Sequence, residues 1–258
     1  MKINQVALQL FTLREYLVSP EAVATTLGKV AAIGYPAVQV SGMPAGVLSE
    51  AELLALCRKN NLTLCATHEP ARVILDDVQK VISRLKALHC TYTAYPHPAG
   101  IDMTSPESVA GLIRGLNASG EALARNGQVL TYHNHQIELQ KINGQQVLER
   151  IYGETDPRYL QGEIDTYWIQ YGGGDPVDWC RRLADRLPLL HLKDFVVNAD
   201  GSPRFGSIGE GNLNFRAIID AAETSGCKWF IVEQDTCPGD PFTAVARSLD
   251  YIGKHLVG

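Results

Sequence analysis

Eight short, β-rich apolar runs recur along the chain, each followed by a longer segment with helical spacing, and that alternation constrains the fold more than any other feature. The runs are INQVALQL (3–10), AVQVSG (37–42), LTLCATH (62–68), CTYTAYP (90–96), QVLTYHNH (128–135), YLQGEIDT (159–166), LPLLHLKDF (187–195) and KWFIVEQD (228–235). Between them lie amphipathic stretches such as 20–34, 49–61, 78–89, 105–127 and 214–226. Ser-Pro at 19–20 and 105–106, and Asp-Pro at 175–176 and 240–241, place a capping residue before a proline, which starts a helix. Gly34, Gly127 and Gly226 mark helix ends. Strands alternating with helices build right-handed βαβ units, and about 250 residues for eight such units is the size of a closed barrel. No linker or shift of composition divides the chain, so it reads as an α/β protein with a single (β/α)8 TIM-barrel domain over residues 1–258. The alternative is an open doubly wound sheet. Against it, no GxGxxG follows the first run and no P-loop occurs. One segment breaks the rhythm, QIELQKINGQQ (136–146), whose Asn143-Gly144 pair predicts a small hairpin.

A net charge of −5 with no long basic run argues against a nucleic-acid surface. No stretch approaches the roughly 18 apolar residues of a membrane helix, and the first residues, MKINQVALQL, are too polar for a secretory signal. A soluble, cytoplasmic protein is expected. Cys57, Cys65, Cys90, Cys180, Cys227 and Cys237 form no CxxC pair, and are expected to be reduced and mostly buried.

In a barrel, chemistry belongs at the C-terminal ends of the strands, and ionisable residues crowd those ends. His68 and Glu69 close the third run; Tyr95 and His97 follow the fourth. His133, His135 and Glu138 end the fifth, and strand alternation sends both histidines to one face. Glu163 and Asp165 end the sixth, His191, Lys193 and Asp194 the seventh, Glu233 and Asp235 the eighth. A single acid after a strand is commonly a cap or turn residue, a reading that suits Asp194 and Asp235. A carboxylate or imidazole ending a buried strand, however, needs a partner. Runs six, seven and eight are neighbours in a barrel, so Asp165, His191 and Glu233 can converge on one cation. The fourth ligand would come from the fifth run, where His133, His135 and Glu138 are the candidates. Such an oxygen-rich set suits Mn²⁺, with Co²⁺, Mg²⁺ or Zn²⁺ as alternatives, and a metal held there polarises a carbonyl.

These residues carry a family resemblance. QLFTLRE, LGKVAAIGYPAVQVSG, THEP, YHNHQIEL, GEIDTYWIQYGGGDP, HLKDF, IGEGNLNF and FIVEQD occur in that order from residue 9 to residue 235. Together they resemble the sugar phosphate isomerase/epimerase family of xylose isomerase-like barrels. The resemblance implies one divalent metal held by Glu138, Asp165, His191 and Glu233. It makes His135 the general acid/base above the metal, with Glu233 as the alternative base. His133 would support that face or contact substrate, Asn134 would be structural, and Glu163 would back Asp165. Lys193 would donate to a substrate oxygen, or else form a surface pair with Asp194. His68 would contact substrate hydroxyls, and Trp168 would wall the sugar. Arg204 and Glu210 would lie on a loop closing over substrate, made pliable by Gly206, Gly209 and Gly211.

The implied function is a metal-dependent isomerase or epimerase of a small-molecule sugar or keto-sugar, working by removal of the proton alpha to a carbonyl. The related outcome is β-elimination, as in inosose dehydratases and 3-keto-glycoside lyases. Two other classes fit the sequence less well. Apurinic endonucleases of the superfamily use three metals and place a histidine where this chain has Trp168. A non-catalytic sugar-binding barrel would not need four ligands. CPGDPF (237–242) is a weak phosphate loop, so an unphosphorylated sugar is expected. Neither nucleic acid nor membrane is an expected partner, and self-association into a homo-oligomer is left open.

Overall fold

All eight apolar runs become strands of one sheet. The computed structural model describes residues Met1–Gly258. The strands in chain order are β1 (Val6–Gln9), β2 (Ala37–Val40), β3 (Thr63–His68), β4 (Tyr92–Tyr95), β5 (Val129–His133), β6 (Lys141–Ile142), β7 (Gln145–Gln146), β8 (Leu160–Asp165), β9 (Leu189–Leu192), β10 (Asp194–Val197), β11 (Pro203–Gly206) and β12 (Trp229–Val232). Eight of them close in the order β1-β12-β9-β8-β5-β4-β3-β2, every pair parallel. The open-sheet alternative is thereby excluded.

Ten helices connect them: α1 (Pro20–Ile33), α2 (Glu50–Lys59), α3 (Ala71–Asp76), α4 (Val78–Ala87), α5 (Pro106–Ala124), α6 (Val147–Glu154), α7 (Thr166–Tyr171), α8 (Pro176–Arg182), α9 (Phe215–Thr224) and α10 (Pro241–His255). The sequence signals act as expected. Ser19, Ser105, Asp175 and Asp240 each accept a backbone N–H at a helix start. Gly34 takes φ 112° at the end of α1. The short helices α3, α6 and α7 were not anticipated, because one or two turns leave too little periodicity to read.

A large hydrophobic core joins the barrel wall to the helices, with Val38, Leu130, Ile164, Leu190 and Phe230 among its buried members. A smaller cluster of Ala7, Ala37, Cys65, Ala66, Leu189 and Ile231 fills the barrel floor. Above it the interior turns polar: Gln9, Gln39, Glu163 and His191 are all fully buried. The six cysteines are free, five of them buried. No helix is long and apolar enough to cross a membrane.

Two hairpins decorate the barrel. The β6–β7 pair turns at Asn143 and Gly144, both at positive φ, as the sequence predicts. The β10–β11 pair stands where a pliable loop was expected. Its glycines serve close approach: a Cβ on Gly209 would overlap the Tyr251 ring, and one on Gly211 would overlap the Asp194 carboxylate. The buried Asp194 accepts N–H groups from Phe195, Gly209, Gly211 and Leu213. The segment is tied down, which corrects the reading of a lid loosened by glycine.

Candidate active site

Parity along the strands brings one face of β5, β8, β9 and β12 together at the C-terminal mouth. His133 pairs in register with Glu163, Asp165 with His191, and His191 with Ile231, two residues before Glu233. Ligating atoms of His133, Asp165, His191 and Glu233 lie within 4.8 Å of one another. Asp165 is anchored twice: its Oδ1 accepts the Trp168 N–H at 3.0 Å, and its own N–H is donated to Asn134 Oδ1 at 3.0 Å. Asn134 thus has the structural role expected of it. Asp165 Oδ2, also buried, points into the cluster, where the Lys193 ammonium faces it as an ion-pair partner at 3.0 Å.

His191 is oriented from below by a chain of amides. Glu163 can only accept, so Gln39 must turn its Nε2 to it (2.6 Å). Gln39 Oε1 is then fixed as the acceptor for Gln9 Nε2 (2.9 Å) and faces His191 Nε2 at 2.7 Å. Nε2 of His191 therefore carries the hydrogen, and Nδ1 is turned to Glu233 Oε2 (2.9 Å) and Asp165 Oδ2 (3.9 Å). Protonated, Nδ1 donates to Glu233; deprotonated, its lone pair is directed at a cation held between the acids. Burial pulls this imidazole down, but the Glu163 and Glu233 carboxylates outweigh it and lift it to about 10. Burial pushes Asp165 up to about 6, against the partial offset of Lys193 and His191.

Glu163 is a hub rather than a partner of Asp165 alone. Its oxygens meet Gln39, His68 Nε2 (2.6 Å), His191 Nε2 (3.3 Å) and His133 Nδ1 (3.5 Å). Burial would raise its pKa, yet His191 and His68 hold it well below the usual range. A second convergence of His68, His133, Glu163 and His191 results. There one carboxylate is shared among Gln39 and three imidazoles, whereas the group with Asp165 and Glu233 offers two acids and is the better donor set for a hard divalent metal.

Lys193 is buried, 1% exposed, with Nζ at 3.0 Å from Asp165 Oδ2, 2.7 Å from Glu233 Oε2 and 2.9 Å from Asp235 Oδ1. Burial alone would lower its pKa; the three carboxylates outweigh that and keep it well above the lysine range. It donates to Asp235 and its charge is held by Asp165 and Glu233, which overturns the surface pair with Asp194. Asp235, read as a cap, is an ion-pair partner instead.

The other expected residues divide. His135 is half-buried above the cluster, edge-on to His133 (5.0 Å) and His97 (4.8 Å) and tilted against Trp168 (5.4 Å). Burial, then the positive fields of His133 and Lys193, push its pKa down and keep it neutral; burial and His191 lower His133 to about 3. Trp168 packs against Phe205 of the hairpin at 5.6 Å, and Phe205 stacks on Tyr167 at 4.1 Å. Glu138 does not join the cluster. Beyond the end of β5 the chain turns back, and its carboxylate accepts Tyr132 Oη–H (2.9 Å) and the His135 N–H (2.8 Å). His133 stands in the position expected of it. Arg204 does not reach the mouth either: it donates to Asn198 Oδ1 and the Phe205 carbonyl within its own hairpin. Glu210 turns back to the Ser207 N–H. Gln9 and Gln39 were missed, although an amide inside an apolar strand is itself a signal that a buried partner exists.

The donor set fits a divalent cation. Asp165, His191 and Glu233 converge and His133 offers a fourth position, a set of two carboxylates and two imidazoles whose acids are balanced here by the Lys193 ammonium. The family profile for the "Xylose isomerase-like TIM barrel" matches residues 27–255. An inosose dehydratase of Geobacillus thermodenitrificans is 27% identical over 158 residues, 55% of this chain and 52% of that protein. The chain thus spans about half the length of the first curated relatives it matches. A sugar phosphate isomerase/epimerase from Parabacteroides distasonis superposes with TM-score 0.82 at 20% identity, covering 98% of this chain and 95% of that one. A xylose isomerase-like barrel from Mycobacterium smegmatis, in complex with magnesium, gives 0.75 at 14% identity over 97% and 95%. On the profile match and the closed barrel together, the chain belongs to the xylose isomerase-like TIM-barrel family.

Proposed function

We propose that the chain is an enzyme that isomerises or epimerises an unphosphorylated keto-sugar by removing the proton alpha to its carbonyl, with one divalent metal ion, Mn²⁺ first among the candidates. The observation that supports this reading is the convergence of His133, Asp165, His191 and Glu233 beneath His135 and Trp168. When bound, the metal would supply a Lewis acid that polarises the carbonyl. Asp165, His191 and Glu233 would hold it, with His133 as the fourth ligand in place of the Glu138 that the family resemblance implies. His135, neutral and facing the mouth, takes the alpha proton and returns it to another carbon or face. Glu233 is the alternative base. Trp168 and Phe205 present a dry wall to the sugar. Lys193 balances the charge of Asp165, Glu233 and Asp235.

Elimination of water after the same deprotonation is the second reading, favoured by the likeness to inosose dehydratases. One experiment tests the shared step. Mn²⁺-reconstituted protein is incubated with a panel of keto-sugars in D₂O and followed by proton NMR. Loss of one alpha-proton signal, slowed at least 100-fold in His135→Gln, is the expected outcome. New vinyl signals would select elimination. A panel in which no alpha proton exchanges would contradict the proposal.

A further inference from the structure

The geometry points to a second binding site beside the reacting centre, one that takes an uncharged ring substituent of the substrate. This inference rests on the keto-sugar reading and names the larger substrate class. A cavity of about 520 Å³ opens over the ends of β1 to β4, away from the cluster of Asp165, His191 and Glu233 at the ends of β8, β9 and β12. That is within the roughly 300–1,000 Å³ typical of small-molecule sites. His68 is its shared wall. The ring lines the cavity, bonds Glu163 through Nε2, and stacks on His191 with centroids 5.4 Å apart. A substrate with its carbonyl at the cluster reaches the cavity by passing over His68.

The lining specifies the chemistry of the substituent. Phe11, Met43, Pro70 and Pro96 give apolar surfaces suited to the C–H face of a pyranose. The polar wall is charge-balanced: Lys80 and Arg84 against Glu50 and Glu69. Arg84 spends its guanidinium on both acids, bonding Glu69 through Nη1 and lying 3.3 Å from Glu50 through Nε. No free arginine fork is left for a phosphate, and a phosphate would meet two carboxylates. Those same carboxylates can accept hydrogen bonds from hydroxyl groups. A neutral glycosyl ring suits both the apolar and the polar walls, whereas a phosphoryl group would find Lys80 alone against two carboxylates.

Calorimetric titration of the full chain in Mn²⁺ buffer tests this with D-fructose, fructose 6-phosphate and the glucosyl-fructoses turanose and isomaltulose. At least one glucosyl-fructose is expected to bind 10-fold or more tightly than fructose, with no gain for the phosphate. In Ala45→Trp and Val73→Trp, which fill the cavity from its rim and its helix side, the ratio of disaccharide to fructose affinity is expected to fall to about one. A ratio near one in the wild type, a ratio that survives both variants, or a preference for the phosphate would overturn the inference. So would loss of fructose binding in step with the disaccharide, since the cavity would then hold the reacting sugar. Proton exchange in D₂O reports on the deprotonation reading alone, and the affinity ratio on the cavity alone, so the two fail separately.

Discussion

Glu138 is a fully buried carboxyl set between a phenol and a backbone N–H. Burial pushes its pKa up to about 7, against the pull of the His135 N–H and the Tyr132 hydroxyl. A folded-state value above the unfolded one means the proton is bound more tightly in the native state. That contribution is full below the unfolded value and is lost as pH rises through 7. Glu138→Gln removes the titration, so the stability of wild type relative to the variant should fall by about 2 kcal/mol between pH 5 and pH 8. Urea unfolding of both proteins at the two pH values measures this. A relative stability that stays level or rises would contradict it, and a rise is what an ionised, metal-ligating Glu138 would give. The residue also marks where the sequence stopped being legible. Strand parity reached His133, Asp165, His191 and Glu233, all within or one residue beyond a strand. It says nothing about Glu138, which follows a turn and folds back on its own backbone. Lys193 was legible in its facing but not in its partners, because three acids from two other strands meet it only once the barrel closes.

At the scale of elements, the β10–β11 hairpin holds the aromatic wall of the mouth. Phe205 projects from β11 onto Tyr167 and Trp168 of α7. Its frame is one carboxylate, Asp194, whose two oxygens accept four backbone N–H groups. Burial raises the Asp194 pKa, and the N–H donors from Gly211, Phe195 and Gly209 pull against it. Asp194→Ala would strand those donors, a cost of about 3 kcal/mol and a fall in Tm of roughly 6–12 °C for a chain of this size. Thermal unfolding measures it, and a fall under about 2 °C would contradict the role given to Asp194. The sequence reading took an acid after a strand for a local cap and glycines for looseness. Three of the partners of Asp194 lie fifteen or more residues onward. Gly209 and Gly211 are where Tyr251 and Asp194 come too close for a side chain. Such packing reasons leave no periodic trace.

Over the whole molecule, eight apolar runs separated by capped helices were enough to read the barrel, because closure follows from the count and spacing of βα units. The same closure makes the interior polar in its upper half. Each of β1, β2, β8, β9 and β12 delivers an amide, acid or imidazole to one network running from Gln9 through Gln39 and Glu163 to His191 and Glu233. A barrel with that interior is a scaffold for a cation at its mouth, and the proposed chemistry depends on it. Elemental analysis of bound metal after Mn²⁺ reconstitution and gel filtration, in wild type and in Glu233→Gln side by side, is the most direct test. The account predicts about one equivalent per chain in the wild type and a loss of most of it in the variant. A wild type that retains no metal, or a variant that retains as much, would contradict it.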